Sequence, residues 1–139
     1  MAWSNAPKRF ETPDVSRAEI DFGIWFKKLY RRQLMPDDDW FDPMTKTLFE
    51  IKDVSYPLEH FGNDGQIRMN KVSVENHIGI GRRPCSKVVV AVKFSCGTWL
   101  FSKVEEIVKV ATEERFTHFA DRPTLFVPIS VFKRRLEDV

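Results

Sequence analysis

Lys87-Val88-Val89-Val90-Ala91-Val92-Lys93-Phe94 is apolar at consecutive positions rather than at alternate ones. A strand of that composition is apolar enough to be central, with cover on both faces. Ser95-Cys96-Gly97 follows as a turn, and Thr98-Trp99-Leu100-Phe101 reads as its hairpin partner. In a chain of 139 residues, 42% hydrophobic, this core segment is expected to anchor one α/β domain. Its sheet is mixed, has about four to five strands, and is flanked by helices.

Upstream of this segment the chain carries its densest chemistry, Asp37-Asp38-Asp39-Trp40-Phe41-Asp42-Pro43-Met44-Thr45-Lys46-Thr47-Leu48-Phe49-Glu50-Ile51-Lys52. Residues two apart on a strand share a face, so Glu50 and Lys52 point the same way. Pro43 suits the second position of a type I turn, with Asp42 before it. A four-residue loop, Pro43 to Lys46, then pairs Asp42 with Thr47, Phe41 with Leu48 and Asp39 with Glu50. Opposing Asp42 to Glu50 instead would put Pro43 inside the ladder, which is disfavoured. Asp39 is therefore the first choice as the carboxylate partner of Glu50, and Asp42 the second. Two carboxylates beside an ammonium are the minimal equipment for holding a divalent metal on a phosphodiester and activating water against it. The competing reading of Glu50 and Lys52 is a solvated charge pair on an exposed sheet face.

The remaining segments give the frame. Residues 1–13 read as a loosely held arm and 14–139 as the domain. Ser16 with Glu19 three residues on is a capping-box pattern. It opens an amphipathic helix expected to run to Met35-Pro36, with Lys27, Lys28, Arg31 and Arg32 off the apolar stripe. The strand bearing Glu50 is expected to reach Tyr56. Residues 66–78 read as a helix on weak spacing, Val104, Ile107, Val108 and Ala111 as a further helix, Leu125 to Ile129 as a final strand, and Ser130 as the cap of a basic terminal helix.

The order of helix, Asp-bearing strand, turn, strand with Glu-x-Lys, then helix and further strands resembles the PD-(D/E)xK nuclease superfamily, over roughly residues 16–103. The resemblance implies a restriction endonuclease-like fold and Mg²⁺-dependent endonuclease activity on DNA, with Mn²⁺ as a substitute. It implies that Asp39 and Glu50 are metal ligands and that Lys52 is the partner of the attacking water. Glu19 would be a supporting carboxylate from the first helix. Pro36-Asp37 competes with Asp39 for the family's Pro-Asp position, and no separate recognition domain is evident. Cutting both strands of a duplex with so small a unit favours a two-fold homodimer.

Charge narrows the partners. With 22 basic and 20 acidic residues the net charge is +2, which is not the footprint of a passive nucleic-acid coat. Arg68, Lys71, Arg82 and Arg83 are the candidate phosphate contacts, and the alternative for each is a solvated surface charge. A non-catalytic module binding nucleic acid or protein on the same fold is the second functional class, and the abundant Phe and Trp suit a protein partner. Cys85 and Cys96 have no metal-ligand spacing and read as reduced thiols, while His60, His77 and His118 are too widely spaced for a ligand pair. Gly79-Ile80-Gly81 lacks the rest of a dinucleotide loop. No signal segment or membrane span is visible, so a cytoplasmic protein is expected, of cellular or viral origin.

Overall fold

The computed structural model describes residues 13–36, 40–71, 74–75, 87–114 and 124–139. Helix α1 spans Pro13–Tyr30. It begins three residues before the expected Ser16 cap, because proline fits the first helical turn, where its missing N–H costs nothing. It also ends earlier than expected. Arg31 takes a left-handed conformation (φ 59°) and its N–H closes on the Lys27 carbonyl at 2.9 Å, the geometry of a helix stop. Met35–Pro36 is instead a two-residue strand, β1.

The central sheet runs in the order β1-β2-β3-β5-β6. Its strands beyond β1 are β2 (Trp40–Asp42), β3 (Thr47–Asp53), β5 (Lys87–Lys93) and β6 (Trp99–Lys103). The β2–β3 register is the expected one, Asp42 opposite Thr47 and Phe41 opposite Leu48. Strand β3 stops three residues short of Tyr56, where the Val54 N–H turns to the Lys93 carbonyl. Strands β3 and β5 are parallel, whereas β5 and β6 form the expected antiparallel hairpin, so the sheet is mixed.

A second, three-stranded sheet has the order β4-β8-β7, with β4 at Gln66–Asn70, β7 at Thr112–Glu114 and β8 at Thr124–Pro128. Strand β4 replaces the first five residues of the helix expected over 66–78; Lys71, Val74 and Glu75 are helical as expected, and 72–73 and 76–78 lie outside the described residues. Gln-Ile-Arg-Met-Asn alternates polar and apolar, and Ile67 and Met69 are buried while Gln66, Arg68 and Asn70 are exposed, the period of a strand with one face in the core. The expected final strand forms as β8 and pairs with β4 and β7. Helix α2 (Val104–Val110) follows β6 as expected. The basic terminal helix does not form. Short 3-10 turns occupy Ile129–Val131 and Leu136–Asp138, and Lys133 exchanges backbone hydrogen bonds with Phe101, covering the β6 edge.

Strand parity sorts the core into two layers. Leu48, Val88, Val90, Val92 and Leu100 face α2 and the second sheet, meeting Ile107, Ile67, Met69, Leu125 and Val127. Phe49, Val89, Ala91, Trp99 and Phe101 face α1, meeting Phe22 and Phe26. Val88, Val89, Val92 and Phe94 are fully buried, so β5 is the doubly covered strand that its composition requires.

Candidate active site

Glu50 and Lys52 are the two positions where the inner face of β3 changes from apolar to charged. Leu48 on that face lies in the core between the two sheets, and the next two residues with the same orientation carry a carboxylate and an ammonium. Parallel pairing aligns Glu50 with Val90 and Lys52 with Val92. The second sheet does not close over this end of β3. It leaves a cavity of about 190 Å³ lined by Glu50, Lys52, Met69, Asn70, Val74, Val90 and Val104. Both charges thus look into one partly apolar cavity, as strand alternation requires.

This setting acts on the lysine. Burial holds the Lys52 ammonium below the ordinary lysine range, and the neighbouring Glu50 and Asp53 carboxylates only partly restore it. Such a lysine is poised to hydrogen-bond an anionic oxygen or a polarised water, because an approaching negative charge relieves its desolvation. Lys52 also forms part of a wider groove of about 520 Å³, with Tyr56, His60, Gln66 and Arg68 among its lining.

The other expected site residues divide. Asp39, the first choice as carboxylate partner, and Asp37 lie outside the described residues. Asp42, the second choice, does not share a face with Glu50. Its pairing with Thr47 turns it to the α1 face, away from Glu50, where it is 1% exposed. There it accepts hydrogen bonds from the Arg32 guanidinium, from Thr45 Oγ1 at 2.7 Å and from the Met44 N–H at 3.1 Å. Burial pushes its carboxyl up, yet these three donors outweigh burial and hold it below the usual carboxylate range. Asp42 is a structural pin of the Pro43–Lys46 turn.

Glu19 is buried, on the stripe of α1 that faces the sheet. Its backbone carbonyl accepts the Trp40 indole N–H at 2.7 Å. The capping role is excluded because Glu19 lies well inside α1, and its side chain is not among those lining the Glu50–Lys52 cavity.

Among the phosphate candidates, Arg68 is exposed on β4 with its guanidinium 5.7 Å from the centre of the Phe126 ring. Lys71 is engaged by Glu113 at 2.7 Å and by Glu75 at 4.0 Å, so its charge is already compensated. Arg82 and Arg83 lie outside the described residues. Asn70, which with His77 makes no recognisable second nuclease motif in the sequence, is the last residue of β4 and stands in the cavity wall.

A hard divalent cation needs oxygen donors, and Mg²⁺ in particular is held through one or two carboxylates, with waters and substrate phosphates completing its shell. Glu50, open to the cavity, meets the chemistry of such a donor. Among the described residues no group of three His, Cys, Asp or Glu converges to hold a metal.

No family model matches the chain, and no curated protein matches it in sequence. Among solved structures, a nuclease from a fusselovirus is similar to 72% of this chain with a TM-score of 0.43 and 15% identity. The match spans 56% of that nuclease's own chain. Among the described residues no helix is long and apolar enough to cross a membrane.

Proposed function

We propose that the protein is a metal-dependent endonuclease that hydrolyses DNA phosphodiester bonds at the Glu50–Lys52 cavity, in the manner of the PD-(D/E)xK nucleases. One observation carries the reading: a carboxylate and a desolvated lysine stand two residues apart on one strand face and open onto the same cavity. Glu50, with Asp39 as the second carboxylate that the sequence offers, would hold the cation. When bound, Mg²⁺ or Mn²⁺ supplies charge neutralisation on the phosphate and a more acidic water.

Lys52 performs the protein's own part. Its ammonium donates to the attacking oxygen and to the phosphoryl oxygen that gains charge as a P–O bond forms to water and the P–O bond to the leaving sugar oxygen breaks. The water's proton passes to solvent, and the leaving oxygen is protonated in turn. Before a cation binds, the Glu50 carboxylate raises the lysine's proton affinity and partly offsets burial. A two-fold homodimer would present one such cavity to each strand of a duplex.

The test is cleavage of plasmid, single-stranded and branched DNA, and of RNA, by pure protein with Mg²⁺ or Mn²⁺. Metal-dependent cutting that disappears in Glu50→Gln and Lys52→Ala supports the reading, whereas no cutting by the wild type removes it and leaves a binding module. Sedimentation with and without DNA tests the dimer.

A further inference from the structure

Beyond Lys52 the wider groove continues along the chain after β3, and its lining changes character. Tyr56 is 53% exposed and its ring stacks on that of His60, with centroids 4.3 Å apart and planes within 13°. His60 meets the edge of Phe61 at 5.1 Å. Phe61 in turn stands edge-on to Phe94 at 5.7 Å, and Phe94 is fully buried. A solvent-facing aromatic pair is therefore footed on the core, which fixes its orientation at little further entropic cost. The 3-10 turn Leu58–His60 brings the two rings together, and the Ser95 N–H, at 3.1 Å from the Tyr56 carbonyl, ties the segment to the β5–β6 turn.

Packing alone does not account for this pair. Tyr56 and His60 remain exposed, yet they line the same groove as Lys52 and Arg68, whose two cations outnumber the one carboxylate there, Asp53. A groove with cations and a parallel aromatic pair has the two elements that hold single-stranded nucleic acid, charge for the backbone and flat rings for the bases. Paired bases keep their faces stacked inside the duplex, so only an unpaired or extruded base can use such rings.

We infer that Tyr56 and His60 form a stacking subsite for one unpaired nucleobase next to the scissile position, with Arg68 and Lys52 on the adjoining phosphates. This deepens the nuclease reading and rests on it for the role of Lys52. It makes the substrate a strand with an unpaired nucleotide, such as a single strand, a flap or a branch point, in preference to a continuous duplex.

The experiment uses an oligothymidylate carrying one 2-aminopurine, bound in EDTA so that nothing is cut, beside a fully paired duplex of the same length. Wild-type protein is expected to quench 2-aminopurine fluorescence. Tyr56→Ala and His60→Ala should lose the quench and bind the single strand about 10-fold more weakly, while Tyr56→Phe retains both. Duplex affinity should be unchanged in all three, and an unchanged unfolding midpoint shows that the variants are folded. Equal quenching by wild type and Tyr56→Ala overturns the subsite, as does a loss in Tyr56→Phe as large as in Tyr56→Ala. Mg²⁺-dependent cutting, scored on the same preparations, separates the two readings. Cutting without quench removes the subsite alone, and quench without cutting keeps the subsite and removes the nuclease.

Discussion

Asp42 is tied to Arg32 on the face of the sheet opposite to Glu50. Two acidic residues within one hairpin thus have separate duties, and their substitutions should have separate consequences. Asp42→Asn keeps the shape but gives up the charge that Arg32 pairs with, a loss of about 1.5–3 kcal/mol for a hydrogen bond to a charged group. Chemical denaturation should show that loss at pH 7, and metal-dependent cleavage by the folded variant should survive. The folded Asp42 carboxyl titrates below its unfolded value of about 3.9. Its contribution is therefore complete above that pH and disappears as pH falls through the folded pKa. Unfolding curves should show the gap between wild type and Asp42→Asn closing below about pH 4.

Phe94 joins the central strand to the aromatic rings of the wider groove. It is fully buried and packs edge-on against Phe61. Phe94→Ala should cost about 3–5 kcal/mol of stability through lost burial and the cavity left behind. An unfolding midpoint equal to that of wild type would mean that the core does not lie where β5 enters its turn.

Cys96, in the turn after Phe94, is exposed. Hydrogen bonds at the Leu58 backbone and at Thr98 hold its thiol below the ordinary cysteine value. A larger thiolate fraction at neutral pH means faster alkylation. In a Cys85→Ser background, Cys96 should react with iodoacetamide faster than glutathione at pH 7, and the advantage should shrink as pH rises through the ordinary thiol value of about 8.5. Mass spectrometry of timed samples measures it; a rate equal to that of glutathione at pH 7 would contradict the hydrogen-bonded thiolate.

Legibility in the sequence followed the range of the interactions. The β5–β6 hairpin, the Pro43–Lys46 turn and the shared face of Glu50 and Lys52 depend on neighbours a few residues away, and local pattern carried them. Strand β4 was missed because five alternating residues are a weak local signal, and their partner β8 lies more than fifty residues downstream. Non-local pairing of that kind leaves no trace in the segment itself, so the place of Asn70 in the cavity wall is not legible there either. The face of Asp42 was within reach. Pairing with Thr47 already sets it opposite to Glu50 in a period-two strand. Its partner Arg32 was not, because the left-handed stop at Arg31 decides where that side chain leaves α1.

Lys52 should be a residue that costs the fold something and gives it to the chemistry. Its pKa is depressed by burial, so between the folded and unfolded lysine values the unfolded chain binds more protons and stability rises with pH. Lys52→Met removes a half-buried ammonium while keeping its length. It should raise the unfolding midpoint at pH 7 by about 2–4 °C, a gain of roughly 1 kcal/mol, and flatten the dependence of stability on alkaline pH. The same variant should abolish metal-dependent cleavage, while Glu50→Gln, which removes the carboxylate supporting the ammonium, should lower the Lys52 pKa further. Acylation of Lys52 followed against pH by mass spectrometry reads that second shift directly. If Lys52→Met is less stable than wild type, or if Lys52 acylates at the same pH with and without the Glu50 carboxylate, then the pair is a surface ion pair and the electrostatic argument for a catalytic lysine fails.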